Sequence, residues 1–278
     1  MPDWRSGFWA DDMKDAGRDA MTHSPFRLDG RTVLISGAGG GIGRSLVAAF
    51  HAAGARVVGA DREAGMLEGL PLARQVLFDQ ADPAATRAAV AADIAAHGAP
   101  DAVVANAGFT RAEHLDHLDD AVWAAEIAIN LNGAYAMTDP IVGAMARGGG
   151  GSLVFISSVN AIAHFGNPAY AAAKAGLIAY ARAIAVERGQ QGIRANVVCP
   201  GSVRTPAWDH RLEADPGLLE AVLPHYPLGR LVNPLEVANA ALFLVSDAAS
   251  GVTGAVLPVD AGLTAGNLRF VDEVLRGK

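Results

Sequence analysis

Tyr170 and Lys174 stand four residues apart in Ala169-Tyr170-Ala171-Ala172-Ala173-Lys174-Ala175-Gly176, with Ser157 and Ser158 shortly upstream. On a helix, positions i and i+4 share one face within contact distance, so the ammonium lies beside the phenol. A phenol releases its proton only near pH 10 in water. A fixed positive neighbour favours phenolate, so the spacing predicts a lowered tyrosine pKa. With a serine hydroxyl close by, the group could pass a proton to or from an alcohol or carbonyl. The same spacing occurs on solvated helices with no chemical role, so its meaning depends on the rest of the chain.

A second cluster follows the apolar run Thr32-Val33-Leu34-Ile35, where Ser36-Gly37-Ala38-Gly39-Gly40-Gly41-Ile42-Gly43 leads into a helical pattern from Ile42 to Ala53. Glycine permits close backbone approach and positive φ, and a helix N-terminus attracts anions, so the natural ligand is a pyrophosphate. Gly37, Gly41 and Gly43 give Gly-x-x-x-Gly-x-Gly, which is neither Gly-x-Gly-x-x-Gly nor a Walker loop ending in Lys-Ser/Thr. Asp61 closes the next apolar run, Arg56-Val57-Val58-Gly59-Ala60. A carboxylate there can accept from ribose hydroxyls and repels a 2′-phosphate, which favours NAD over NADP. Arg62 pulls the other way, since it could pair with that phosphate, whereas a solvated arginine is the plain alternative.

These residues need a scaffold that brings strand ends together. Short apolar runs at Gln75–Phe78, Ala102–Ala105, Leu153–Ile156, Ala195–Val198 and Ala255–Leu257 extend the first two to seven. Alanine-rich helical segments lie between them, at Pro83–His97, Leu118–Arg147 and Pro168–Gly189. Continuous Val/Ile/Leu runs joined by crossover helices predict a doubly wound parallel sheet, an α/β Rossmann-type fold with helices on both faces. Pro140 is expected to kink or break the second long helix, and Gly148–Gly151 to turn the chain. No repeat of fixed period is present.

The 278 residues suit one domain, from 30 to 278, preceded by an extension of residues 1–29 that reads as a disordered tail or an amphipathic arm carrying Trp4, Phe8 and Trp9. Hydrophobic residues make up 51%, yet no run of about 18 uncharged apolar residues appears, so no membrane span is expected. The N-terminus lacks a secretory apolar core. Cys199 is the single cysteine, which excludes an internal disulfide and a cysteine metal cluster and suits a cytoplasmic protein. A net charge of −7 argues against a nucleic-acid partner, and no metal site is expected.

Together these motifs resemble the short-chain dehydrogenase/reductase family, in its short single-domain branch, over about Leu28 to Thr264. Further support comes from Ala105-Asn106-Ala107-Gly108, similar to the family's Asn-Asn-Ala-Gly, from Ile129-Asn130-Leu131-Asn132-Gly133, from Cys199-Pro200-Gly201 with Thr205, and from Pro258-Val259-Asp260-Ala261-Gly262. The departures are Ser36 for threonine, Ala105 for asparagine and Ala261 for glycine. The resemblance implies Ser158 as hydrogen-bond donor to the substrate oxygen and Tyr170 as proton carrier. Lys174 would lower the tyrosine pKa and hold the nicotinamide ribose, and Asn130 would organise a water chain. Family members use both serine spacings, and Ser-Ser-Val favours Ser158, with Ser157 facing the core. The cofactor would be lined by Gly37, Gly41, Ile42, Gly43, Asp61, Arg62, Asp79, Gln80, Asn106 and Gly108, and its nicotinamide wrapped by Pro200, Gly201, Val203 and Thr205. The long helices would pair copies into a homo-oligomer, a dimer or tetramer.

The activity so implied is hydride transfer between NAD, less favourably NADP, and a small-molecule secondary alcohol or ketone. Pocket candidates are Phe109, Thr110, Asn160, His164 and Phe165, with a lid over residues 202–227 bearing Trp208, His210 and Tyr226. They suggest a medium-sized, mostly apolar, cyclic or aromatic substrate. Two rivals share the fold: an NADP-dependent ketoacyl-thioester reductase, which Asp61 disfavours, and a non-enzymatic cofactor sensor, which would have lost a reacting side chain. A sugar-nucleotide epimerase would need a Gly-x-x-Gly-x-x-Gly loop and a longer substrate domain.

Overall fold

The computed structural model describes residues 24–111 and 114–277, so most of the expected N-terminal extension lies outside the described residues. Seven strands form one sheet: β1 (Thr32–Ser36), β2 (Arg56–Asp61), β3 (Arg74–Leu77), β4 (Ala102–Ala105), β5 (Gly151–Ile156), β6 (Ile193–Pro200) and β7 (Val256–Val259). Their order is β3-β2-β1-β4-β5-β6-β7 and every pairing is parallel. Successive residues of a strand point to opposite faces. Leu34, Val58, Val103, Leu153 and Phe155 enter one core with Met137, Ile141 and Leu177. Their neighbours Val33, Ile35, Val57, Val104, Val154 and Ile156 enter the other with Leu46, Phe50, Val237 and Ala241. Burial on both faces explains why the strands read as unbroken apolar runs.

Helix α1 (Gly41–Ala52) follows β1, α2 (Pro83–His97) follows β3, and α5 (Pro168–Arg188) precedes β6. Local chemistry sets several of their starts. Asp82 caps α2 by accepting from the Ala84 and Ala85 N–H groups, each at 3.0 Å, with Pro83 in the first turn. Asn167 precedes α5 in a left-handed conformation, φ 51°, followed by Pro168. The residues at Pro168–Gln191 reach a mean hydropathy of 1.2 and are long enough to cross a membrane. Part of that apolarity faces the sheet, where Ala173, Leu177, Ala181 and Ile184 are buried, while Val186 is exposed.

The region expected as one helix broken at Pro140 is interrupted elsewhere. Helix α3 (Asp120–Ile127) passes through a π-helical turn at Ala128–Asn132 into α4 (Gly133–Gly148), which continues through Pro140. Proline forfeits one helical hydrogen bond, but Met137, Ile141, Val142 and Met145 on both sides of it are buried and hold the helix on course. The π turn coincides with Asn130. It is locked by close packing, since a Cβ on Gly133 would overlap the backbone carbonyl of Gln80.

At the far end of the sheet, α6 (Pro206–Ala214) and α7 (Leu218–Val222) lie between β6 and α8 (Pro234–Val245), in the segment where the sequence suggests a lid. Its base is tied down where the Ser202 N–H donates to the buried Tyr226 hydroxyl at 3.0 Å. Because Gly133 carries the π turn against Gln80, Gly133→Ala is expected to cost about 1–3 kcal/mol of stability by overpacking. Urea unfolding of the variant against the parent measures it.

Candidate active site

The order in which strands are added reverses between β1 and β4, and in open α/β sheets ligands bind at such a switch point, beyond the carboxyl ends of the strands. The residues singled out in the sequence emerge there. The glycine loop leaves β1, Asn106–Gly108 leave β4, Ser157 and Ser158 leave β5, and Gly201 leaves β6. Asn106 bridges the switch point, donating through Nδ2 to the carbonyls of Ser36 at 3.0 Å and Gly37 at 3.1 Å. Ser36 answers by accepting from the Asn106 and Ala107 N–H groups, each at 3.1 Å, so serine serves where the family has threonine.

The loop is shaped by missing side chains. Gly37 has φ 62°, a Cβ on Gly41 would come within 2.7 Å of Thr205, and one on Gly43 would overlap the Gly37 carbonyl. Helix α1 opens at Gly40 with no side-chain cap and no acidic residue in its first turn. Backbone amides and the positive end of the helix therefore face a concave loop suited to a pyrophosphate. Asp61 lies alongside, accepting from the Gly39 N–H at 3.0 Å and the Arg62 N–H at 2.9 Å. The Arg62 side chain instead pairs with Glu63 at 3.1 Å. Asp79 is exposed just past β3. Gln80 is buried and turned inward, its Nε2 donating to the carbonyls of Ile129 at 2.9 Å and Ala107 at 3.3 Å. It braces the π turn against the loop after β4.

A cavity of about 750 Å³ opens beside the loop, walled by Ile42, Asn106, Gly108, Ser158, Tyr170, Lys174, Pro200, Gly201, Val203 and Thr205 among others. Both serines are buried at the cavity wall: Ser157 donates to the Lys174 carbonyl at 2.8 Å, and the Ser158 hydroxyl lies beside the phenol of Tyr170. Lys174 Nζ donates to the Ile156 carbonyl at 2.9 Å and lies 5.4 Å from the centre of the Tyr170 ring. Gly108 passes between Lys174 and Asn130, where a Cβ would lie 3.0 Å from Nζ and 2.8 Å from the asparagine Oδ1. Asn130 is fully buried and its amide clamps the backbone of Phe109, donating at 2.6 Å and accepting at 3.0 Å.

The pKa expectation for the pair is overturned. Burial pushes the Tyr170 phenol up from its ordinary 10 to about 12, and the Ser158 hydroxyl only partly offsets this. The residue as a whole is half-buried, but its hydroxyl sits deep in the cleft. Burial also lowers Lys174 from its ordinary 10.5 to about 8. The expected ammonium field does not govern the phenol, because the lysine that would supply it is itself desolvated, and desolvation disfavours both charged forms.

Among the pocket candidates, Phe109, Thr110, Asn160, Phe165, Trp208 and Tyr226 line the cavity. His164 does not: it is exposed on the loop before α5, and the polar wall there comes from Asn160 and Asn167. The side chain of His210 lies outside the described residues. The lid adds residues that the sequence reading missed, Arg211, Val222 and His225, and Leu263 joins them from beyond β7. No signal short of the lid's fold distinguishes these from other exposed positions. Among the described residues, no cluster able to hold a metal ion is found.

A doubly wound sheet with a pyrophosphate cradle at its switch point, and hydroxyl, phenol and amine gathered beside it, defines a nicotinamide-dependent oxidoreductase. A family model described as enoyl-(acyl carrier protein) reductase matches residues 37–264. A solved oxidoreductase of the short-chain dehydrogenase/reductase family from Burkholderia thailandensis is 43% identical, with a TM-score of 0.82 over 88% of this chain and 97% of its own. Galactitol 2-dehydrogenase (L-tagatose-forming) from Cereibacter sphaeroides is 37% identical over 86% of this chain and 97% of that protein. Gluconate 5-dehydrogenase from Burkholderia cenocepacia, solved with NADP and tartrate, is 33% identical, with a TM-score of 0.80 over 87% and 98% of the two chains. The chain belongs to the short-chain dehydrogenase/reductase family, and is an NAD(P)-dependent alcohol dehydrogenase or ketone reductase.

The lysine shift has a thermodynamic consequence. Between pH 8 and 10.5 the folded protein has released the Lys174 proton while the unfolded chain still holds it. The unfolded state then binds more protons, so this group's contribution to stability rises with pH across that window. In Lys174→Met that contribution disappears. Thermal midpoints of cofactor-free protein should therefore favour the variant most below pH 8, and the advantage should shrink toward pH 10.5.

Proposed function

We propose that this enzyme interconverts a secondary alcohol and its ketone with NAD as the preferred cofactor, using Tyr170 as proton carrier. The observation that carries the chemistry is the meeting of the Ser158 and Tyr170 hydroxyls in one cavity with Lys174 and the glycine loop. Gly37, Gly41 and Gly43, with the α1 N-terminus, would hold the pyrophosphate. Asp61 would take the ribose hydroxyls, Asp79 the adenine, and Asn106, Gly108, Ile42, Pro200, Gly201, Val203 and Thr205 the remainder. Preference for NAD is supported by the Asp61 carboxylate beside Gly39 and by the engagement of Arg62 with Glu63, which leaves a negative charge where a 2′-phosphate would sit. NADP, as in the gluconate dehydrogenase structure, is the second reading.

The bound nicotinamide supplies hydride exchange and, when oxidised, a positive charge. Everything else falls to the protein. In ketone reduction, Ser158 donates a hydrogen bond to the carbonyl oxygen, and Tyr170, protonated over the whole neutral range, delivers its proton as that oxygen becomes an alkoxide. In oxidation, the proton leaves the hydroxyl for phenolate Tyr170 while the carbinol carbon gives up its hydride. That direction requires the phenol pKa to fall on binding. Lys174 serves it by staying within reach of the ring, tethered to the Ile156 carbonyl. Asn130 acts through position, holding Phe109 and the loop after β4. A medium-sized, largely apolar, cyclic or aromatic substrate is supported by Phe109, Phe165, Trp208, Val222 and Leu263 in the wall.

Two measurements test the proposal. Absorbance of reduced nicotinamide over a panel of alcohols and ketones should show turnover, faster with NAD than NADP, and Asp61→Ala should narrow that ratio. Tyr170→Phe should lose roughly a hundredfold or more in kcat, the scale of positioned acid–base catalysis, with NAD affinity by calorimetry nearly unchanged. Full activity in that variant would remove Tyr170 from the mechanism.

A further inference from the structure

Thr110, Asn160 and Asn167 make a polar side of the cavity, next to Ser158 and Tyr170. The two asparagines are used differently. Asn160 is engaged within the protein at both ends of its amide, its Nδ2 donating to the Gly166 carbonyl at 2.7 Å and its Oδ1 accepting from the Ser158 hydroxyl at 3.4 Å. The half-buried Asn167 amide meets one neighbour among the described residues, the Thr110 hydroxyl at 3.3 Å, so its other end is open. An asparagine just before a helix commonly caps it, yet the Asn167 side chain caps nothing on α5. In its left-handed conformation, φ 51°, it is turned to Thr110 and the cavity instead.

A single proton decides which end of that amide is open. The Thr110 hydroxyl has one to give, and it lies 3.1 Å from Oε1 of the buried Glu126, which also accepts the Arg111 N–H. A carboxylate only accepts, so the Thr110 proton goes to Glu126, whose charge also raises the Tyr170 phenol. Thr110 then offers Asn167 a lone pair. With the amide oxygen on that side two acceptors would face each other, so the group against Thr110 is Nδ2, and Oδ1 is left to the cavity. An open acceptor calls for a donor on the ligand. Lys174 lines the cavity and no aspartate or glutamate does among the described residues, which disfavours an ammonium and suits a neutral hydroxyl.

Resting on the reading above, we propose that Asn167 is a specificity residue and that the substrate is a diol, or the matching hydroxyketone, on a largely apolar body. The carbinol gives its hydroxyl proton to Tyr170 and its hydride to the oxidised nicotinamide. The second hydroxyl keeps its proton and donates a hydrogen bond to Asn167 Oδ1, so diol and NAD become hydroxyketone and NADH. Because Asn167 is three residues from Tyr170, that hydroxyl belongs within a few carbons of the carbinol. Thr110 is a positioning residue, which fixes the end of the amide that Asn167 presents.

The test measures kcat/KM for 1-phenylethane-1,2-diol, 1-phenylpropane-1,3-diol and the cyclohexane-1,2- and 1,3-diols, each against the analogue with fluorine or a methyl ether in place of the second hydroxyl. Fluorine keeps the size and electron withdrawal of the hydroxyl without its proton, and the ether keeps its acceptor. For at least one skeleton the diol should exceed both by roughly threefold to tenfold, the scale of one neutral hydrogen bond. In Asn167→Gly, which takes a left-handed backbone without strain, the diol-to-fluoro ratio should fall close to one. In Thr110→Val the amide is released and can turn its N–H to the ether, so the diol-to-ether ratio should shrink. Diols no better than their fluoro analogues on every skeleton, or an advantage that survives Asn167→Gly, would overturn the proposal while leaving the alcohol dehydrogenase reading intact. Ethers as good as diols would overturn it by making Asn167 a donor, and faster turnover of the matching amino alcohols would replace the hydroxyl by an ammonium. Loss of NADH affinity in Asn167→Gly, read by fluorescence titration, would move the residue to the cofactor. Absence of turnover with every alcohol and ketone would instead defeat the underlying reading.

Discussion

Two-sided burial of a parallel sheet is the constraint on which the rest of this molecule depends. With helices against both faces, the strands have no polar surface to offer, and all their chemistry must leave at the carboxyl edge. There the turns after β1, β4, β5 and β6 come close enough to share hydrogen bonds, as Asn106 does with Ser36 and Gly37. The cavity is the space those turns cannot fill. Its floor is rigid because its supports are core elements: Gln80 braces the π turn, Asn130 clamps Phe109, and Ser157 ties β5 to α5.

The same burial decides the state of the reacting groups. A tyrosine and a lysine on one helical face would help each other ionise in water. In this cleft they are both desolvated, so each drifts toward its neutral form, the phenol to about 12 and the amine to about 8. Burial thus keeps the phenol protonated in the free protein.

Much of the fold and of the site was legible in the residues, because the signals are local. Apolar runs of four to six residues mark the strands, and a glycine loop between strand and helix marks an anion cradle wherever it occurs. Local signals failed where packing outweighed them. Pro140 argues for a break, but buried neighbours on both sides carry α4 through it, and the interruption falls at Asn130 instead. His164 looks like a pocket residue by position, yet its loop turns it outward, while Arg211 and His225 reach the cavity from a lid whose path nothing in the local sequence specifies.

By itself the sequence determined the strand count, the family, the cradle, and the identity of the hydroxyl, phenol and amine that converge, since these follow from residue type and spacing. Tertiary structure alone decided that Gln80 is a brace, how the phenol and amine ionise, and which residues after β6 line the cavity. Ionisation and access depend on how much water and which charges surround a group, and those neighbours come from segments far apart in the chain.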